Sequence, residues 1–233
     1  MARGQVPLEA AVARIQALKQ ALRSPLWARI AGKFGHNVRM AHAFRRGDHI
    51  CSIHDSEEEQ LATAAAYIAD GIGRGERGLY VGVSEDAVLR FRAALGAIGL
   101  DPAALCGRGA LILVTPEQAY LAGGYFELER MLELIDQAID QAVNDGFSGL
   151  RGCGDMSWLL AGAPGSEQAV SYEAVLGQFL SGRRACAMCQ YNRQRLPLPM
   201  IDMALATHST AVIAGKQKFN PFFQAGRDAT PAG

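Results

Sequence analysis

The segment 49–83, HICSIHDSEEEQLATAAAYIADGIGRGERGLYVGV, reads as strand, turn, helix, turn, strand, the opening unit of a nucleotide-binding α/β domain, and its first turn is acidic. In such a unit the free N–H groups at the helix start cradle an anion. Here Ser56 is placed to cap the helix, Glu59 stands three residues on as in a capping box, and Glu57 and Glu58 fill the first turn. A helix start already furnished with carboxylates is a poor phosphate site. No G-x-x-x-x-G-K-[ST] occurs anywhere in the chain, so it supplies neither a phosphate-wrapping backbone nor a phosphate-reaching lysine. The expectation is an NTPase-type scaffold in non-hydrolytic use.

The rest of the chain repeats the alternation. Strand-like apolar runs fall at 49–53, 79–83, 110–115, 148–153, 185–191 and 209–213, with amphipathic helices between them, clearest at 84–98 and 125–143. Connections of this length imply parallel strands with helices on both faces. Ser84 and Ser166 read as helix caps. With 233 residues, 49% of them hydrophobic, there is room for one sizeable α/β domain and a short appendage. The expected division is a helical arm over 1–46, the domain over 47–215 and a tail over 216–233. No apolar run approaches the roughly 20 residues that span a bilayer, and no signal-peptide core is present, so a cytoplasmic location and no membrane partner are expected.

The formal charge is zero but unevenly spread. Residues 1–46 carry nine Arg or Lys against Glu9 alone, leaving −8 on the remainder. Leu8, Val12, Ile15, Leu18 and Leu22 form one apolar stripe of a helix with basic residues on its other faces. Such an arm fits a regulatory protein partner, a second copy of the chain, or DNA, with the apolar stripe favouring protein.

In an open parallel sheet, ligands bind beyond the carboxyl ends of the strands. Those ends carry Cys51 and His54, then Cys153, Asp155 and Trp158 in GCGDMSW, then Cys189, Tyr191 and Arg193. Trp158 and Met156 are read as lining an apolar ligand pocket, with Asp155 and Arg151 at its mouth. Asp155 also falls where an NTPase of this kind holds its metal. The five cysteines are an odd number scattered over a long chain, so they are read as thiols. Cys186 and Cys189 form a C-x-x-C, but on a strand their sulfurs point to opposite faces. His49 and Cys51 share one strand face, and with Cys189 they are the metal candidates. G-x-S-x-G is absent, which removes the α/β-hydrolase reading, and no G-x-G-x-x-G occurs after a strand.

These residues together resemble a family, the sensory domain shared by methanogen and methylotroph regulators, abbreviated MEDS and named partly for a dichloromethane-responsive repressor. The resemblance rests on H-x-C at His49 and Cys51, Ser56-Glu57-Glu58-Glu59, Gly75-Glu76-Arg77, Asp155-Met156-Ser157-Trp158 and Cys189-Gln190-Tyr191-Asn192-Arg193, over roughly 45–215. It implies a RecA-like three-layer α/β sandwich with a mostly parallel sheet and no phosphate-binding loop, sensing a small carbon compound. In a RecA-type sheet the first and fifth strands are neighbours, which would bring Cys51 towards Cys189. The expectation is therefore a non-catalytic sensor binding a small molecule through Cys51, His54, Arg151, Asp155, Met156, Trp158, Cys189, Tyr191 and Arg193, its cofactor unspecified. The alternatives are a nucleotide-binding switch or ATPase with a rebuilt phosphate site, and a metal or haem sensor built on His49, Cys51 and Cys189.

Overall fold

The computed structural model describes residues 44–224. The expected arm lies outside them, except for its last three residues. Strands β1 (His49–His54), β2 (Arg77–Val81), β3 (Leu111–Val114), β4 (Leu150–Asp155), β5 (Ala185–Asn192), β6 (Thr210–Ile213) and β7 (Lys216–Phe219) form one sheet in the order β3-β2-β4-β5-β1-β6-β7. All neighbouring pairs are parallel except β6 and β7. β1 lies between β5 and β6, every one of its residues is buried, and Cys51 is paired in register with Cys189.

Helices α1 (Glu57–Gly73), α2 (Glu85–Ala97) and α3 (Pro102–Gly107) cover one face of the sheet. Helices α4 (Leu128–Asn144), α5 (Ala169–Leu180) and α6 (Leu198–Thr207) cover the other. Each layer has its own core, one around Ile50, Tyr67, Ile68 and Phe91, the other around Ile53, Phe126, Leu176 and Tyr191. Local chemistry starts the helices as expected at two places. Ser56 Oγ accepts the Glu59 N–H at 3.1 Å, and Ser84 Oγ accepts the Ala87 N–H at 3.2 Å. Ser166 is not a cap. It sits inside a 3-10 turn that follows Gly165, and α5 begins at Ala169 without a side-chain cap.

Two boundaries shift. Phe44 is buried and packs edge-on against Tyr67 with centroids 5.2 Å apart, and Arg46 donates to the Ser148 carbonyl at 2.8 Å, so residues 44–46 belong to the domain body. At the other end, the tail expected from 216 opens with β7. Ala214 and Gly215 both have positive φ (50° and 66°), and Ile213 pairs with Lys216, giving a two-residue hairpin loop. Lys-Gln-Lys-Phe is too short and polar to announce a strand. Its lysines suit an edge.

Candidate functional site

The connection from β1 to α1 is two residues, Asp55 and Ser56, against the eight of a phosphate-wrapping loop. Its space is filled by side chains. Gln60, in the first turn of α1, receives Gln190 Nε2 on its carbonyl at 2.9 Å and Asn192 Nδ2 on its Oε1 at 3.1 Å. The Gln190 amide also meets His54 Nε2 at 3.3 Å, and Glu59 accepts the Asp55 N–H at 3.0 Å. Burial holds His54 down to about 3, with Asp55 opposing, so its ring is neutral and accepts from the amide. Arg193 pairs with Asp55, and Glu57 is shared between Arg90 and Arg195. The strand-end crevice on this face is occupied by a polar network, in which His54 Nδ1 and Gln190 Oε1 are left without a hydrogen bond.

The other face holds an unusual group. His49 at the start of β1, Cys189 in β5, Glu173 in α5 and His208 just ahead of β6 are all buried, and one donor atom from each lies within 4.8 Å of the others. His49 Nε2 is 3.2 Å and His208 Nε2 3.1 Å from Glu173 Oε2, and Cys189 Sγ is 3.5 Å from His49 Nε2. The two imidazoles lie 3.8 Å apart, tilted by 39°. Burial and the neighbouring His208 hold His49 down to about 4, against the pull of Glu173. Burial also opposes ionisation of Glu173, but the two histidines outweigh it and bring the carboxyl to about 2. Burial, and the Glu173 charge after it, push the Cys189 thiol up.

Aromatic side chains pack in the same layer as this group. Trp158 stacks on Tyr120 and lies against Phe126, both with centroids 5.2 Å away, and Phe126 meets Tyr172 edge-on at 5.6 Å. Tyr191 meets the His208 ring edge-on at 6.0 Å. Gly154 makes room for Tyr120, since a Cβ there would fall 1.9 Å from the phenol oxygen. Within this layer Trp158 Nε1, Ser157 Oγ, Tyr191 OH, His49 Nδ1, His208 Nε2 and both Glu173 oxygens are buried without a hydrogen bond of good geometry.

The sheet divides the residues singled out from sequence. Cys51, Met156, Trp158, Cys189 and Tyr191 share the α4–α6 face. Cys51 Sγ donates to the Thr210 carbonyl at 3.7 Å and is not one of the four clustered donors. His54 belongs to the network under α1, and Asp155 caps the following turn by accepting the Ser157 N–H at 2.9 Å. Arg151 does not stand at a pocket mouth. It is fully buried beneath α1, 2.7 Å from Glu76 and 3.6 Å from Asp70, with its guanidinium 4.8 Å over the Tyr67 ring. Gly71 permits this, because a Cβ there would fall 2.7 Å from the Arg151 side chain. Cys186, 3.1 Å from the Tyr67 hydroxyl, lies on that face too, so the C-x-x-C sulfurs are on opposite sides of the sheet.

Sequence reading missed Glu173 and His208. Glu173 did leave a signal, being a charge within the buried stripe Ala169, Tyr172, Glu173, Leu176, Leu180 of α5. His208 left none, since only the fold places the end of α6 beside the start of β1.

This is a RecA-like α/β sandwich. Among solved structures it is similar to a KaiC-like protein from the hyperthermophilic archaeon Pyrococcus horikoshii, with TM-score 0.53 and 12% identity over 78% of each chain. It is also similar to the flagellar accessory protein FlaH of Methanocaldococcus jannaschii, with TM-score 0.49 and 15% identity over 82% of this chain and 76% of that one. No curated protein matches. The family described as MEDS, MEthanogen/methylotroph, DcmR Sensory domain, matches residues 48–209, and the chain belongs to it. It is a sensory domain. No helix among the described residues is long and apolar enough to cross a membrane.

Proposed function

We propose that this domain binds a small, weakly polar carbon compound between the sheet and helices α4 and α5, and reports its presence without hydrolysing a nucleotide. The observation carrying this reading is the set of buried polar atoms left unpartnered among aromatic side chains on that face. Folded proteins pair nearly all such groups, and exceptions call for a function. Apolar walls with a few polar points are the usual composition of a small-molecule site. The membership of a sensory family and the filled turn between β1 and α1 support the same assignment. Residues 1–43 would then carry the signal to a regulatory protein, a second copy or DNA.

Titrating the protein with methanol, methylamine and dichloromethane, while following Trp158 fluorescence in a Trp27→Phe background, tests the site. Saturable quenching by at least one compound, reduced by Tyr120→Phe or Tyr191→Phe, is expected. A flat response to the panel, together with micromolar binding of magnesium–ATP by calorimetry, would replace this reading with a nucleotide switch.

A further inference from the structure

We propose that His49, Glu173, Cys189 and His208 bind one divalent ion of the zinc class. The assignment goes beyond the organic-ligand reading: it gives His208 Nε2 and Glu173 Oε2 to the ion and leaves Trp158 Nε1, Ser157 Oγ and Tyr191 OH as the polar points for an organic ligand.

The distances fit first. A tetrahedral ion bonded at about 2.0–2.1 Å to nitrogen and oxygen and about 2.3 Å to sulfur sets its ligand atoms roughly 3.3–3.6 Å apart. Here three of the six separations fall at or just below that range, His49 and His208 Nε2 to Glu173 Oε2 at 3.2 and 3.1 Å and His49 Nε2 to Cys189 Sγ at 3.5 Å, and all four atoms lie within 4.8 Å of one another, so small side-chain shifts close the shell. The four side chains come from β1, β5, α5 and the residue that ends α6, so the sandwich holds them.

The tautomer of His208 points the same way. Its Nδ1 is 2.8 Å from the Ala204 carbonyl, a contact that only an N–H makes attractive. With the proton on Nδ1, the Nε2 lone pair faces Glu173 Oε2 at 3.1 Å, and both atoms are buried without a hydrogen bond of good geometry. Two acceptors so placed repel each other unless a metal ion or a proton stands between them. A ring N–H donated to a backbone carbonyl is also the usual support of a metal-binding imidazole. Two imidazoles, a thiolate and one carboxylate favour zinc, cobalt, nickel or iron(II) over magnesium or calcium. Binding displaces the thiol proton of Cys189 to solvent.

The alternative is a bare proton on His208, and metal loading separates the two. Full-length protein stripped with a chelator and reloaded should take up one equivalent of cobalt(II), with intense tetrahedral d–d bands and a sulfur-to-cobalt charge-transfer band. The charge-transfer band should vanish in Cys189→Ser and survive in Cys51→Ser and Cys186→Ser. His208→Gln should weaken zinc affinity at least tenfold with an unchanged circular dichroism spectrum. X-ray absorption of the zinc-loaded wild type, which needs no variant to fold, should give one sulfur and three nitrogen or oxygen neighbours. Failure of the wild type to hold cobalt or zinc, a zinc shell without sulfur, or a band that follows Cys51 would overturn the assignment. Loading without any response to organic compounds would overturn the proposed function and leave the metal site standing.

Discussion

Arg151 is the most demanding single side chain in the molecule, fully buried with Glu76 as its close partner. Removing one member of a buried pair leaves the other charge uncompensated, so Glu76→Gln should cost about 3–5 kcal/mol in urea unfolding. Gly71→Ala should destabilise by about 1–3 kcal/mol, because the new methyl has to displace the Arg151 side chain. Combined with Arg151→Ala, the two losses should fall short of additivity by more than 0.5 kcal/mol or so, the mark of residues in contact. His54 belongs to the acid limb of stability. Its ring is held down to about 3, whereas in the unfolded chain it titrates near 6.5. Between those values the unfolded state binds the proton and the folded state does not. Stability from His54 is therefore complete above pH 6.5 and is lost as pH falls towards 3, at up to about 1.4 kcal/mol per pH unit. His54→Gln should flatten that slope in denaturation curves taken from pH 7 to 4, and an unchanged slope would mean other groups set it.

Among the elements, α1 tests whether the acidic start is structural. Ser56→Ala should cost about 1 kcal/mol through the lost cap and leave the response to organic compounds unchanged. A large loss of that response with little change in stability would instead place the ligand at the first turn. The six strands with apolar runs, and the helices between them, were readable in the sequence because buried parallel strands leave long hydrophobic signatures. Even the pairing of Cys51 with Cys189 followed once the sheet order was expected. β7 was not readable, since its pattern is short and polar and its turn is Ala-Gly where Asn-Gly is the common signal. The site was legible only in halves. Strand periodicity put His49 and Cys51 on one face, but which helix residues come to lie over them is set by packing across the layer. Glu173 and His208 are 35 residues apart in sequence and meet only through the fold, while Arg151, with Cys153 two residues on, turned out to serve the face opposite the His49 cluster.

For the whole molecule, the place where the domain ends matters to any truncation. Deletion through residue 43 should leave an intact domain, while deletion through 46 removes Phe44 from the core and should cost about 3–5 kcal/mol more, read as a lower urea midpoint. If the arm contacts DNA, affinity should fall by roughly 0.9 log units per log unit of salt for each phosphate neutralised. A salt-insensitive interaction would leave the stripe Leu8, Val12, Ile15, Leu18 and Leu22 as a protein-packing surface. The two-residue turn after β1 bears on how such a signal is powered. A switch driven by hydrolysis has a built-in timer, and its off state follows from chemistry that has already happened. A domain that works by binding alone keeps no such clock. Its output tracks the present concentration of ligand, reverses when the ligand leaves, and can go no further than the difference in affinity between its two states. Moving from one part in a hundred active to ninety-nine takes about a ten-thousandfold difference, some 5.5 kcal/mol, and at the proposed site all of it would have to come from contacts inside one buried layer.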